Sequence, residues 1–132
     1  MDTDETRYDG ITERVIGCAF KVGNRLGAGF SEKVYENALA HELRKAGFRA
    51  EQQVQIKVFY DGVVVGDYIG DLVVEGVVLL ELKAVRTLED AHRAQCINYL
   101  AATGLPICLL INFGRKVEVK CIAGPRLCDP SV

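Results

Sequence analysis

The stretch from Asp71 to Lys83 reads DLVVEGVVLLELK, which sets an Asp at one end and a Glu-x-Lys at the other of one of the most apolar parts of the chain. Runs of Val and Leu broken by Glu75-Gly76 predict two strands folded back on each other. Charges are out of place in such a pair, because an unpaired ion in a dry interior costs several kcal/mol even after relaxation. Either that strand end is exposed, or Glu81 and Lys83 serve a purpose that needs them there. Clustered carboxylates beside a lysine can hold a divalent cation and stabilise a phosphate oxyanion.

Alternation sharpens the point. Along 77–85, Val78, Leu80, Leu82 and Ala84 form one wholly apolar face, and Val77, Leu79, Glu81, Lys83 and Val85 form the other. Glu81 and Lys83 therefore project side by side. Asp71 joins them only under a register condition. A plain two-residue turn at Glu75-Gly76 would set it opposite Leu80, whereas a three-residue loop or a bulge would set it opposite Glu81. The expectation is the odd loop.

The rest of the chain reads as a single domain. Apolar positions at helical spacing from Ile11 to Leu26 predict a first helix, with Gly27 as its stop. Gly29-Phe30-Ser31 opens a second, to about Ala46, with Val34, Tyr35, Ala38, Leu39 and Leu43 as its apolar stripe. Val54, Ile56, Val58 and Tyr60 alternate with Gln53, Gln55 and Lys57 in a strand that turns at Asp61-Gly62 and returns over Val63–Tyr68. After the Asp71–Val74 and Val77–Val85 pair, Thr87 is a candidate N-cap for a helix from Leu88 to Thr103. Strands at Ile107–Phe113 and Lys116–Ile122 follow. The expected fold class is α/β (α+β), a mixed β-sheet flanked by helices in the order α-α-β-β-β-β-α-β-β. Residues 1–9 read as a flexible arm, 10–123 as the domain, and 124–132 as a flexible tail.

At 132 residues and 49% hydrophobic content the chain can bury a core. No apolar run reaches the roughly 18 residues of a membrane span, and the acidic N-terminus is no signal peptide, so the expected compartment is the cytoplasm. Cys18, Cys96, Cys108, Cys121 and Cys128 form no CxxC or Cys/His set, and read as small apolar fillers plus a tail thiol. A net charge of −2 argues against passive binding of nucleic acid, but not against an enzyme that meets phosphates through metal ions. Arg86, Arg93, Lys116 and Arg126 are the cations that could track a backbone, or ordinary solvated charges.

Two residues stand apart from their elements. Glu32 opens the second helix with Tyr35, Glu36, Leu39 and Leu43 on its face, which points it to the core edge. Gln95 lies mid-helix beside Ala91 and Ala94, where a larger apolar residue would be expected. Each feature also has a plain structural use. Glu32 suits a helix dipole, Glu81 and Lys83 a solvated pair on an edge strand, Asp71 a turn, and Gln95, His41 and His92 a helix surface.

Gly29-Phe30-Ser31-Glu32-Lys33-Val34-Tyr35 resembles the G-x-x-E-x-x-Y signature of the small bacterial and archaeal proteins named for it, which are grouped with the PD-(D/E)XK nuclease-like superfamily. The similarity extends through GDYIGDLVVEGVVLLELKAV, AHRAQCINYLAATGL and LLINFG, and spans roughly residues 11–122. It implies a restriction-endonuclease-like core and roles for particular residues. Asp71 and Glu81 would ligate Mg²⁺ or Mn²⁺, with Glu32 completing the shell and the Leu82 carbonyl as a further ligand. Lys83 would assist the attacking water or the scissile phosphate. Gln95 would orient substrate or Lys83, and Tyr35 would pack and support Glu32. Gly70 stands where the superfamily's nominal Pro precedes the Asp. The function implied is metal-dependent hydrolysis of phosphodiester bonds, in DNA rather than RNA. The alternative is a catalytically silent member of the fold that binds nucleic acid or a protein partner. Oligomeric state stays open, with a homodimer as one way for so small a domain to grip a duplex.

Overall fold

The computed structural model describes residues 8–124. Two helices come first, α1 (Asp9–Leu26) and α2 (Glu32–Lys45). A hairpin of two long strands follows, β1 (Ala50–Tyr60) and β2 (Val63–Val74), then β3 (Val78–Lys83). Helix α3 (Asp90–Thr103) crosses to β4 (Ile107–Phe113), and β5 (Val117–Ala123) closes the order. The sheet runs β1-β2-β3-β4-β5; only β3 and β4 are parallel, because α3 carries the chain back between them. The mixed sheet flanked by helices is the architecture expected from the sequence.

The sheet buries both faces. Leu72, Val74, Leu80, Leu82, Leu109 and Ile111 pack under α1 and α2 with Val15, Ala19, Leu39 and Leu43. Val73, Leu79, Cys108 and Leu110 pack under α3 with Cys96, Tyr99 and Leu100. β3 and β4 lie in the middle of the sheet, which is why VLLELK and ICLLINF read as nearly continuous apolar runs.

Several local features depart from the sequence reading. Val63–Tyr68 and Asp71–Val74 are parts of one strand, β2, since Ile69 and Gly70 stay in the ladder with β1. The N-cap of α3 is Glu89, not Thr87; its carboxylate and the His92 ring form a capping box, with Glu89 N–H donating to His92 Nδ1 at 3.0 Å. His92 therefore has a structural role, while His41 is exposed as expected. Val34, expected on the apolar stripe of the second helix, is exposed, and so is Phe20, one of the apolar positions at helical spacing in the first. α1 begins at Asp9, inside the expected arm; residues 1–7, the tail from 125 on, Arg126 and Cys128 lie outside the described residues. Cys96 and Cys108 are buried fillers. Among the described residues, no helix is long and apolar enough to cross a membrane.

A buried tyrosine ties the first two helices to the sheet. Tyr35 is fully buried, stacks on Phe113 with ring centroids 4.6 Å apart, donates its hydroxyl to the Gly27 carbonyl and accepts from Phe30 N–H at 3.3 Å. Its hydroxyl thus fixes the loop that leads into Glu32. Tyr35→Phe leaves that carbonyl without its donor and is expected to lower unfolding free energy by about 1–2 kcal/mol, read from the urea midpoint.

Candidate active site

The β2–β3 connection decides the geometry. Glu75 and Gly76 both take left-handed backbone angles, Val77 N–H donates to Val74 O, and the ladder resumes at Val74↔Val78. Three residues, 75–77, form the loop, and Arg49 clamps it by exchanging hydrogen bonds with Glu75. The ladder runs through Val73↔Leu79 to Leu72↔Leu80, and the next residues along, Asp71 and Glu81, are joined by side-chain bonds instead. There the two residues interlock. Asp71 N–H donates to Glu81 Oε2 at 3.0 Å, and Leu82 N–H donates to Asp71 Oδ2 at 2.7 Å.

This pair is held at a cost. Glu81 is only 3% exposed. Burial, and then the Asp71 carboxylate beside it, push Glu81 up to about 8. Asp71 is raised too, by burial first, with Glu36 and Glu32 adding to it and the Leu82 N–H and Lys83 opposing it. The two carboxyls raise each other in this way because like charges at close range resist ionising together. Each bonds a backbone N–H through one oxygen, so each keeps a second oxygen for another partner. A strand residue's N–H and C=O point to the same edge, so the Leu82 carbonyl faces the Asp71 side as well.

Lys83 and Gln95 meet: Lys83 Nζ donates to Gln95 Oε1 at 3.5 Å. Gln95 Nε2 in turn donates to the Tyr99 hydroxyl at 3.1 Å. Glu32 behaves differently. It is exposed at the start of α2 rather than turned to the core edge, and among the described residues no three His, Cys, Asp or Glu side chains come together as a metal cluster. Glu32 does reach the pair through its field, raising both Asp71 and Glu81. Arg86, Arg93 and Lys116 are exposed.

Four contributors were missed in the sequence. Glu36, 4% exposed, accepts from Gln53 Nε2 at 2.7 Å, Gln52 Nε2 at 2.7 Å and Lys33 Nζ at 3.1 Å, and its charge acts on Asp71. A Glu inside the apolar stripe between Tyr35 and Leu39 was its signal. Gln53 has a left-handed backbone, φ 56°, in mid-strand. Ala50 packs under α2 but Val54 and Ile56 under α3. A regular strand would place these even-numbered residues on one face, so Gln53 is where β1 switches faces, next to the Asp71 position. Tyr99 is buried and raised, by burial and then by Glu81, with Tyr68 and Asp71 adding to it. Asn112, fully buried, bonds Val85 N–H and C=O at 2.9 Å each, and so pins the chain just past Lys83.

Gly70 explains the missing proline. A Cβ there would lie 2.9 Å from Leu79 Cδ1 and 3.1 Å from Ile56 Cδ1, so no larger residue fits without repacking. Gly70→Ala is expected to destabilise the domain by about 1–3 kcal/mol, measured by chemical denaturation.

A mixed five-stranded sheet flanked by helices, with one helix crossing between its parallel strands, defines a restriction-endonuclease-like domain. The chain belongs to the PD-(D/E)XK nuclease superfamily, whose family profile matches residues 9–122. The crystal structure of SSO0001 superposes with a TM-score of 0.58 at 18% identity, covering 90% of this chain and 60% of that one. An alkaline exonuclease (LHK-Exo) from Laribacter hongkongensis superposes with a TM-score of 0.48 at 13% identity, over 86% of this chain and 70% of that one. The chain thus spans 60% of the length of SSO0001. No functionally curated protein matches the sequence.

Proposed function

We propose that this domain is a divalent-metal-dependent nuclease that hydrolyses phosphodiester bonds, with DNA as its substrate. The observation that carries this reading is the interlocked, charge-frustrated pair Asp71–Glu81 at hydrogen-bonding distance, with Lys83 two residues on. Two carboxylates and a carbonyl are fewer protein ligands than a closed metal cage needs. They suit Mg²⁺ or Mn²⁺, since Mg²⁺ in particular keeps several waters and takes one or two carboxylates plus substrate phosphates. Asp71, Glu81 and the Leu82 carbonyl would hold the ion, and Glu32 would act on it from the α2 terminus through its field.

When bound, the ion supplies an acidified water and withdraws charge from the phosphoryl group. The chain's own residues do the rest. Glu81 and Asp71, fixed by backbone N–H groups, present their remaining oxygens without having to reorganise. Lys83, steadied by Gln95 on α3, presents a compact positive charge where negative charge develops on the scissile phosphate. Asn112 pins the chain just past Lys83, at the end of the strand that bears Glu81 and Lys83. The G-x-x-E-x-x-Y resemblance supports the same assignment of Glu32. The test is cleavage of single- and double-stranded DNA, and of RNA, by the purified protein with Mg²⁺ or Mn²⁺. Absence of cleavage with both ions on all three would overturn the reading in favour of a silent binding module.

A further inference from the structure

A cleft of about 770 Å³ runs between α3 and the outer half of the β1–β2 hairpin. Ala91, Ala94, Asn98, Ala101 and Ala102 leave it open on the helix side, where larger residues would have closed it. The hairpin lines it with Val58, Phe59 and Tyr68. A bulge at Val58/Phe59 lets consecutive residues line one wall, and Phe59 and Tyr68 stay 61% and 48% exposed although both are aromatic. The cleft joins the candidate active site directly. Tyr99 and Gln95 line its inner end; Gln95 holds Lys83, and the Tyr99 ring meets the Tyr68 ring at 5.5 Å.

We infer that this cleft seats unpaired bases of the nucleic-acid strand whose phosphate lies at Asp71, Glu81 and Lys83, so that the substrate is single-stranded where it is cut. The inference rests on the nuclease reading and extends it to substrate class. Among the described residues no charged side chain lines the cleft, so it suits bases rather than phosphates. Exposed aromatic rings stack on the faces of bases, and the Asn98 and Gln95 amides can bond base edges. A paired duplex hides those faces inside its stack. The acidic net charge fits as well, because stacking supplies affinity that a basic groove would otherwise provide.

The test separates binding from cleavage. In a Glu81→Gln background, which leaves the strand intact, a thymidine 12-mer carrying one 2-aminopurine is titrated and its fluorescence followed. The expected result is quenching of the single strand but not of the blunt duplex. Tyr68→Ala with Phe59→Ala is expected to abolish the quench and weaken binding about tenfold or more, the size of a lost base–aromatic stack. Ala94→Phe, which fills the cleft from the helix side and leaves the hairpin untouched, should do the same. Quenching that persists in both variants overturns the inference. So does a hairpin variant that loses only self-association in sedimentation, which would mark the surface as a contact between copies of the chain. Cleavage by wild type without quenching leaves the nuclease reading standing and removes this one; quenching without cleavage overturns the nuclease reading and, with it, the claim that the seated bases belong to a strand being cut.

Discussion

Lys83→Ala is expected to lower the rate of metal-dependent DNA cleavage by about 10²–10³-fold, and Asp71→Asn by at least as much, with folding intact by circular dichroism. Lys83 is half-buried and its side chain bonds Gln95, so it is placed by α3 rather than free in water. A positive charge held in position acts on charge that forms only in the transition state, so its loss should appear in kcat more than in KM. On the proposed reading Asp71 and Lys83 serve one reacting phosphate, so the double variant should be little slower than the worse single one. Lys83→Arg should recover only part of the rate, because a planar guanidinium cannot occupy the position of a compact ammonium. Single-turnover cleavage of a labelled strand measures all four proteins. Activity that survives undiminished in both Lys83→Ala and Asp71→Asn would remove these residues from the chemistry.

In chelator, the wild-type protein is expected to lose stability as pH rises from 5.5 to 8, while Glu81→Gln does not. Glu81 titrates near its ordinary 4.5 when unfolded and at about 8 when folded, owing to burial and to Asp71. Between those values the folded state holds a proton that the unfolded state has released. Unfolding free energy therefore falls as pH climbs through that window, and the loss from this one group is on the order of a few kcal/mol. Glutamine can still accept from Asp71 N–H but carries no charge to bury, so the variant should be the more stable protein at pH 8. Added Mg²⁺ or Mn²⁺ should restore the wild type at pH 8 by mass action and leave Glu81→Gln little changed. Urea midpoints at the two pH values give the comparison directly. A wild-type midpoint that rises from pH 5.5 to 8, in step with the variant, would show the pair to be solvated rather than buried.

The pattern of the strands was legible because side chains alternate with a period of two and Gly marks the turns. The three-residue loop at 75–77 followed from asking which register would bring Asp71 to Glu81, and the ladder at Val74↔Val78 has that register. Val63–Tyr68 and Asp71–Val74 read as two strands with Ile69-Gly70 between them, where the structure has one. In the structure Gly70 is a packing requirement, with Leu79 and Ile56 against it. Glu32 was read as inward from its helical stripe, but the last inward position there belongs to Tyr35, and the helix end projects Glu32 into water. Glu36 sits one turn further in and takes the burial instead, satisfied by Gln52 and Gln53 from a strand sixteen or more residues away.

By itself the chain determined which residues sit in strands and helices, that Glu81 and Lys83 share a face, and that an Asp lies one hairpin away. Those properties depend on local periodicity and turn chemistry. Tertiary structure alone decided how deeply Glu81 is buried, that Gln53 switches β1 between faces, that Asn112 pins Val85, and that small residues on α3 face aromatic ones on the hairpin. Each depends on desolvation or contact between segments far apart in sequence, and no local pattern carries that information.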